Sequence, residues 1–306
     1  MGTKALAPHS LRRHDVIRIG IVGSDNSHAI ALSQLCNLND TPEQKAIRGA
    51  KAVALFGLVP ERNEEVAAAG RIPTIVKKPT DMIGLVDAVL VVFRHGGLHY
   101  RYVEPFLRAR IPAFVDKPLA CSSADAKRIL ALAKRNKVLL TSYSTIRWAK
   151  GTQELIARCG ELGGVRSGVF GCPSDPTSEY GGIHFYAIHA VETMQQVMGL
   201  GVAEVTARQS GKNTVAAVSY GDGRTATLHL LADSKHGFYA TAFCKEGVAG
   251  GPLDISDCYV AGLTRILKML RSGQRPLSDE QMLEPVRVLD AIVKSAATGQ
   301  TVRLRP

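Results

Sequence analysis

Five short apolar runs, each followed by a helical segment or a polar turn, occupy the first half of this 306-residue chain. The runs cover residues 17–22, 52–58, 88–93, 113–115 and 138–143, and the helical segments lie near residues 27–38, 61–69, 99–108 and 123–135. Strands that are apolar at nearly every position are typical of a parallel sheet with helices on both faces. Residues 16–145 are therefore predicted to form a doubly wound, Rossmann-like α/β domain.

The second half has longer runs in which apolar and polar residues partly alternate, as in antiparallel sheets with one solvated face. These runs cover residues 165–172, 202–209, 214–220, 225–231 and 237–244. The turn Gly221-Asp-Gly joins two of them as a hairpin. Two helices close the chain, the second opened by a capping-box pattern at Ser278. We expect residues 146–306 to form an α+β domain with an open, mostly antiparallel sheet, and residues 1–15 to be a flexible extension.

Composition narrows the class of protein. The length exceeds the size at which one hydrophobic core usually stops growing, which agrees with two domains. Lys and Arg outnumber Asp and Glu by 38 to 27, a formal charge of +11, but the basic residues are scattered and no aromatic residues interleave with them. This argues against a nucleic-acid surface.

Hydropathy and cysteine spacing exclude further classes. No run approaches the ~20 apolar residues of a membrane span, and the start of the chain lacks the apolar stretch of a signal peptide. Six dispersed cysteines show no C-x-x-C spacing. We therefore expect a cytoplasmic protein with reduced thiols, with neither a membrane partner nor a metal.

The turn after the first strand departs from the usual dinucleotide-binding pattern G-x-G-x-x-G. It reads Gly23-Ser24-Asp25-Asn26-Ser27-His28 and keeps the first glycine alone. Asp25 replaces the second glycine, where a carboxylate repels a diphosphate unless it turns away or caps the helix. The neighbouring polar side chains can donate replacement hydrogen bonds at a helix N-terminus, which favours anions. All six residues are predicted to bind a nucleotide cofactor.

Polar residues also follow two later strands, at the sheet edge where open α/β proteins bind ligands. One set is Phe93-Arg94-His95, and the other is Asp116-Lys117-Pro118. Both sets, together with His99, are predicted to line the cofactor site. For His99, capping or packing of the loop is favoured over a role in chemistry.

Several of these motifs resemble the Gfo/Idh/MocA family, which includes glucose-fructose oxidoreductase and inositol dehydrogenase. Asp116-Lys117-Pro118 is similar to the family's Glu-Lys-Pro, and His99 precedes it at the usual distance. Arg147 resembles the arginine in the loop that enters the second domain. His189 and Glu192 resemble the last two polar residues of the motif Asp-x-Gly-x-His-x-x-Asp. The resemblance covers nearly the whole chain.

This resemblance implies hydride transfer between NAD or NADP and a carbinol carbon of a sugar, cyclitol or related polyol. His189 would accept the hydroxyl proton as general base, and Lys117 would stabilise the charge that forms on the oxygen. Arg147 and Tyr186 would help to bind the substrate. The second domain would bind substrate, and its sheet would form the interface of a homodimer or homotetramer.

Two positions depart from the family pattern. The acid that would hold the adenosine ribose, at the end of the second strand, is Gly57 here, with Arg62 five residues on. Without that acid NADP is as well suited as NAD. The motif aspartate is Phe185, and its neighbours His184 and Tyr186 can each offer a polar substitute. His184 is therefore a further candidate catalytic residue.

Two rival functions stay open. A family member that has lost redox cofactor binding would be a sugar-binding, regulatory or accessory protein, which Asp25 and Gly57 favour. A metal site of His184, His189 and Glu192 would need a bend, because i, i+5 and i+8 do not share one helical face. No metal is predicted. His189 also lies in an apolar stretch, where a hydrogen-bonded core histidine is the alternative.

Overall fold

The computed structural model describes residues 16–38, 47–235 and 237–304. The extension predicted over residues 1–15 lies outside the described residues. Two sheets organise the described part of the chain. Every predicted strand and helix listed above is present, with ends that shift by no more than two residues.

The first sheet contains six parallel strands in the order β3-β2-β1-β4-β5-β6. The strands are β1 (Ile17–Val22), β2 (Ala50–Phe56), β3 (Thr74–Ile75), β4 (Ala88–Val91), β5 (Ala113–Val115) and β6 (Leu140–Ser142). The helices between them are α1 (Ser27–Asn37), α2 (Pro60–Gly70), α3 (His99–Arg108) and α4 (Ser123–Asn136). This confirms the doubly wound prediction. The two-residue β3 was not predicted, because both of its residues are exposed and carry no apolar pattern.

The strand order places the ligand-binding edge. β1 pairs with β4 as well as with β2, so the chain winds outward from β1 in both directions. Such a switch point leaves a crevice at the carboxyl ends of the central strands. Residues that follow β1, β4 and β5 therefore meet at one edge.

The second sheet has seven strands in the order β12-β11-β7-β10-β9-β8-β13. They are β7 (Val165–Cys172), β8 (Val202–Ser210), β9 (Asn213–Tyr220), β10 (Thr225–Leu231), β11 (Tyr239–Cys244), β12 (Gly247–Pro252) and β13 (Val302–Arg303). All described pairs are antiparallel except β7 with β10. The predicted hairpin is confirmed. The glycine-rich β12 was not predicted, because glycine disfavours strands and its pattern shows little alternation.

Four further α-helices lie within the described residues. They are α5 (Lys150–Glu161), α6 (His184–Met198), α7 (Cys258–Ser272) and α8 (Asp279–Thr298). The predicted capping box at Ser278 is present. α7 packs into the core of the first sheet, and α8 contributes Val286 to that core and Val288 to the core of the second sheet. The boundary predicted near residue 145 stays a prediction, since the C-terminal helices contact both cores.

One face of the second sheet is exposed and partly apolar. Val215, Phe243 and Val248 lie on it with 40–59% of their surface accessible. The oligomer expected from the family resemblance stays a prediction.

Candidate active site

Gly23 gives the turn after β1 its conformation. Its φ is +111°, and a Cβ at this position would lie 2.7 Å from the main-chain nitrogen of Phe93. Its N–H donates to the carbonyl of Phe56 at 2.7 Å. The main chain therefore lies bare between three strand ends, as a site for a bulky anion requires.

Asp25 turns toward the loop after β4. Its Oδ2 accepts a hydrogen bond from the main-chain N–H of Arg94 at 3.2 Å. Its Oδ1 is buried and makes no hydrogen bond with any described residue. A buried carboxylate oxygen of this kind is an acceptor for a ligand hydroxyl or amide.

Asn26 and His28 bind Asp116 rather than facing solvent. Asn26 caps α1 by accepting from the N–H of His28 at 3.2 Å, and its Nδ2 donates to Asp116 Oδ2 at 3.2 Å. His28 Nδ1 lies 2.6 Å from the same oxygen. Burial alone would raise the pKa of Asp116, but His28 and Lys117 together outweigh this effect, so the pKa is lowered. Asp116 is therefore held as a buried carboxylate, and its Oδ1 makes no hydrogen bond with any described residue.

Side chains of neighbouring residues fill the space at Gly57, where the family pattern has an acidic residue that would bind the ribose. A Cβ at Gly57 would lie 2.0 Å from Asn63 Oδ1 and 2.1 Å from Ser24 Oγ. Asn63 is held there by donating to the Gly57 carbonyl at 3.1 Å, and Arg62 Nε donates to the Ser24 carbonyl at 3.0 Å. The sequence departure at Gly57 is thus matched by the packing around it.

Lys117 is buried at the end of β5, with 3% of its surface exposed. Its Nζ lies 3.5 Å from the carbonyl oxygen of Phe185 and 4.8 and 5.2 Å from the ring centroids of Phe185 and Tyr186. Burial lowers the pKa of Lys117, although Asp116 opposes this shift. An ammonium with one long hydrogen bond among the described residues has donors left for a ligand.

His189 lies beside Lys117 across the same aromatic ring. Its imidazole centroid is 5.1 Å from that of Tyr186, and its Nδ1 is 2.7 Å from Ser144 Oγ. Burial holds the pKa of His189 well below its usual range, and the charge of Lys117 lowers it further. A neutral imidazole with Nδ1 engaged offers Nε2 for proton transfer.

Arg147 lies inside the protein, although the resemblance implies a role in substrate binding. Its Nε donates to Glu192 Oε2 at 3.0 Å, and Nη1 and Nη2 donate to Gln196 and Gln195, each at 2.6 Å. Glu192 also accepts from the N–H of Ser144 at 3.0 Å. Burial raises the pKa of Glu192, and Arg147 opposes this. The pair holds the segment that carries Ser144 against α6.

His184 contacts α8. Its Nε2 lies 3.0 Å from Asp290 Oδ1 on α8, and Asp290 also accepts from the N–H of Ser123. His184 borders a cavity of about 490 Å³ between the start of α6 and α8, which neither Lys117 nor His189 lines. The structure therefore does not bring His184 together with the other two candidate catalytic residues.

Two histidines contact the loop after β4, and Ser27 lies elsewhere. His99 is fully buried, and its ring nitrogens lie 2.8 Å from the carbonyl oxygen of Pro118 and 2.9 Å from that of Phe93. It thus braces two strand ends. His95 caps a short 3₁₀ turn, with Nδ1 accepting from Gly97. Ser27 is exposed at the start of α1.

Sequence reasoning missed Ser144, Tyr180 and Phe238. Serine is a common N-cap residue, but nothing in the sequence around Ser144 indicated its contact with His189. Tyr180 lies just before α6 and contacts Phe185 within it, whereas Phe238 comes from a loop distant in sequence, and its contact with Tyr186 arises from tertiary packing alone. Within residues 16–38, 47–235 and 237–304 no helix is long and apolar enough to span a membrane, and no group of three or more His, Cys, Asp or Glu side chains suits a metal.

Comparison with known proteins finds a family model and folds that this chain resembles. Residues 17–144 match the family model GFO_IDH_MocA, described as an oxidoreductase family with an NAD-binding Rossmann fold. The chain is 34% identical over 123 residues to inositol 2-dehydrogenase of Acidothermus cellulolyticus, which is 39% of this chain and 33% of that protein. The match thus spans about a third of the length of this curated relative.

Two solved structures extend the likeness of fold to nearly the whole chain. The scyllo-inositol dehydrogenase of Lactobacillus casei with bound NAD(H) and scyllo-inositol superposes with a TM-score of 0.82, at 14% identity, over 94% of this chain and 99% of that one. The myo-inositol 2-dehydrogenase of Lactobacillus plantarum gives a TM-score of 0.82, at 16% identity, over the same shares. At these identities the likeness shows the fold.

Proposed function

We propose that this chain, whose residues 17–144 match the model of the Gfo/Idh/MocA family of oxidoreductases with an NAD-binding Rossmann fold, is a member of that family and an NAD(P)-dependent dehydrogenase acting on a carbinol carbon of a sugar, cyclitol or related polyol. One observation carries the proposal. A buried lysine and a buried neutral histidine contact the same Tyr186 ring at the ligand-binding edge of the sheet.

The described residues fit a dinucleotide at this edge. The bare main chain at Gly23 and the N-terminus of α1 suit a diphosphate, and Asp25 turns its Oδ2 toward the loop after β4. The orphaned oxygens of Asp25 and Asp116 can accept hydrogen bonds from cofactor hydroxyl or amide groups. The nicotinamide, when bound, supplies the hydride acceptor or donor.

The chain's own residues manage the proton and the charge. In the oxidative direction His189 Nε2 takes the proton from the substrate hydroxyl, while its Nδ1 stays hydrogen-bonded to Ser144. The Lys117 ammonium donates to the same oxygen and stabilises the negative charge as it develops. Arg147 and Glu192 position Ser144 and so orient the imidazole ring.

Binding of NAD⁺, NADH, NADP⁺ and NADPH to nucleotide-free protein tests this function. We expect saturable binding of at least one oxidised and reduced pair by calorimetry, with a gain in stability of about 2.7 kcal/mol at a hundredfold excess over Kd. Because no acid stands at position 57 to repel a 2′-phosphate, NADP⁺ should bind no more than about tenfold more weakly than NAD⁺.

A matched pair of glycine variants controls this measurement. Gly23→Ala should weaken nucleotide binding, since its Cβ meets Phe93. Gly164→Ala also places alanine at a positive φ, +84°, but in open space outside the site, and should leave binding unchanged. If none of the four nucleotides binds, the redox function is wrong and a sugar-binding accessory role takes its place.

The pH profile of turnover tests the role of His189. A general base must be neutral, so kcat/KM rises as pH increases through its pKa. Burial holds the pKa of His189 well below the usual 6.5, so we expect kcat/KM to stay constant from neutral pH down to about pH 6. His189→Asn should lower the rate and remove the acid limb. A limb centred at or above the ordinary histidine value would contradict this role.

A further inference from the structure

Four aromatic side chains form one wall beside Lys117, here named the aromatic strip. They are Tyr180, Phe185, Tyr186 and Phe238. Successive ring centroids lie 5.1, 5.3 and 6.2 Å apart, in that order. All four rings are half-buried, so the strip has both a packed side and an accessible side.

Two cations contact this strip. Lys117 Nζ lies over Phe185 and Tyr186, in its centre. The guanidinium of Arg94 lies 4.7 Å from the centroid of Tyr180, at its end, and Nη1 donates to the Tyr180 hydroxyl at 3.2 Å. Because Tyr180 belongs to the segment that leads into α6, Arg94 reaches across from the first sheet to the side that carries His189.

Arg94 has hydrogen-bonding capacity to spare. A guanidinium has five N–H donors in a planar fork, and the bond to Tyr180 is its one hydrogen bond to a described residue. No described carboxylate forms an ion pair with the Arg94 guanidinium. The neighbouring Asp25 accepts from the main-chain N–H of Arg94 instead. The Nε and Nη2 edge can therefore bind a planar anion through two parallel hydrogen bonds.

Two buried carboxylates near the strip, Asp116 and Glu192, each bind other described residues through one oxygen. Asp116 binds His28 and Asn26, and Glu192 binds Arg147 and the N–H of Ser144. Asp25, which accepts from the main-chain N–H of Arg94, makes no described ion pair with the Arg94 guanidinium. A neutral polyol would leave the half-buried Arg94 guanidinium without an ionic partner, whereas an acid would supply one.

We propose that Arg94 binds a carboxylate of the substrate, so that the protein acts on a sugar acid whose reacting hydroxyl lies at Lys117. The proposal rests on the dehydrogenase function above and names its substrate class. A uronate suits this arrangement, because its ring C–H face can pack on the strip while its carboxylate reaches Arg94 beside Tyr180 and a hydroxyl reaches Lys117 at the centre. Arg94 is thus a specificity-determining residue for this site.

Matched sugar pairs test this proposal. The protein with its better nicotinamide cofactor is assayed with D-glucuronate against D-glucose and with D-galacturonate against D-galactose, by calorimetric binding and by kcat/KM. We expect at least one acid to be preferred over its parent sugar by about tenfold or more, the value of one charge-assisted contact. Arg94→Gln should remove that preference, and Arg94→Lys should keep part of it, because lysine keeps the charge without the fork.

Arg101→Gln is the matched control. Arg101 is exposed and lies 5.4 Å from the ring of Tyr102, outside the aromatic strip, so its loss changes net charge equally and should leave the preference intact. If neither acid binds better than its parent sugar, or if Arg94→Gln keeps the preference, the proposal is overturned while cofactor binding still supports the dehydrogenase function.

One outcome would assign Arg94 to the other anion at this edge. If Arg94→Gln weakens nucleotide binding as strongly as it weakens acid binding, the guanidinium serves the cofactor diphosphate and the substrate proposal is wrong. We expect the nucleotide Kd of Arg94→Gln to stay within about threefold of the unmodified protein.

Discussion

Replacing Lys117 with methionine is expected to lower kcat by about a thousandfold, because the variant loses the donor that stabilises charge on the reacting oxygen. Lys117 Nζ is buried at the carboxyl end of β5, with the Phe185 carbonyl at 3.5 Å as its hydrogen-bond partner among described residues. The loss should appear in kcat more than in KM, since the interaction strengthens as the oxygen gains charge. Steady-state kinetics with the bound cofactor pair measures it.

The same substitution should leave the protein folded. Burial lowers the pKa of Lys117. Keeping the charged ammonium in the folded protein therefore reduces the free energy of unfolding. A methionine of similar volume removes this cost, and Asp116 keeps His28 and Asn26 as partners. We therefore expect the free energy of unfolding to fall by no more than about 1 kcal/mol.

A surface lysine provides the control. Lys127 is exposed on α4, so Lys127→Met removes one positive charge without touching the site and should keep full activity. A Lys117→Met protein that is folded and retains more than about a tenth of kcat would remove Lys117 from the chemistry.

Replacing Arg147 with methionine should destabilise the protein by about 3–5 kcal/mol, the usual result of leaving a buried charge without its partner. Arg147 has 1% and Glu192 6% of its surface exposed, and all three guanidinium nitrogens donate to described acceptors. The substitution leaves Glu192 with the N–H of Ser144 as its described donor. Urea unfolding with linear extrapolation gives the difference.

Two further variants test whether the destabilisation comes from the broken Arg147–Glu192 ion pair. Arg158→Ala breaks an exposed pair with Glu161 and should change stability by less than about 1 kcal/mol. The double variant Arg147→Met with Glu192→Leu should recover most of the loss, because no unpaired charge remains buried. If the single variant costs as little as Arg158→Ala, the pair does not hold this part of the fold together.

The deficit of Arg147→Met should also depend on pH. Burial raises the pKa of Glu192, and this effect grows when Arg147 no longer opposes it. A carboxyl group whose folded pKa lies above its unfolded value favours the folded state as pH falls, since the native protein then binds the proton more readily. The difference from the unmodified protein should therefore shrink between about pH 7 and pH 5.

The agreement between sequence and fold has a simple physical basis. Strands such as β1 and β5 are largely apolar because helices cover both faces of the sheet. That pattern can be recognised from the local sequence alone. The errors fall on β3, which is exposed, and on β12, which is rich in glycine. Neither segment carries a local preference strong enough to show in the residues.

Less of the candidate site than of the fold could be predicted from the sequence. Lys117 could be placed from sequence, because a strand end in a parallel sheet fixes its edge. Arg147 and His184 could not, because the identity of their partners depends on helices more than forty residues away. The same holds for Gly57, where Ser24 and Asn63 fill the space of the absent acid.

The sequence by itself determined the doubly wound sheet, the hairpin and capping box of the second half, and the position of Lys117, since each follows from local periodicity or turn chemistry. The tertiary structure decided which polar side chains are free to act. It paired Arg147 with Glu192 and His184 with Asp290, and it left Lys117 and Arg94 along one aromatic strip. Pairing in a buried site is a property of distance and desolvation between segments remote in sequence, which no local pattern records.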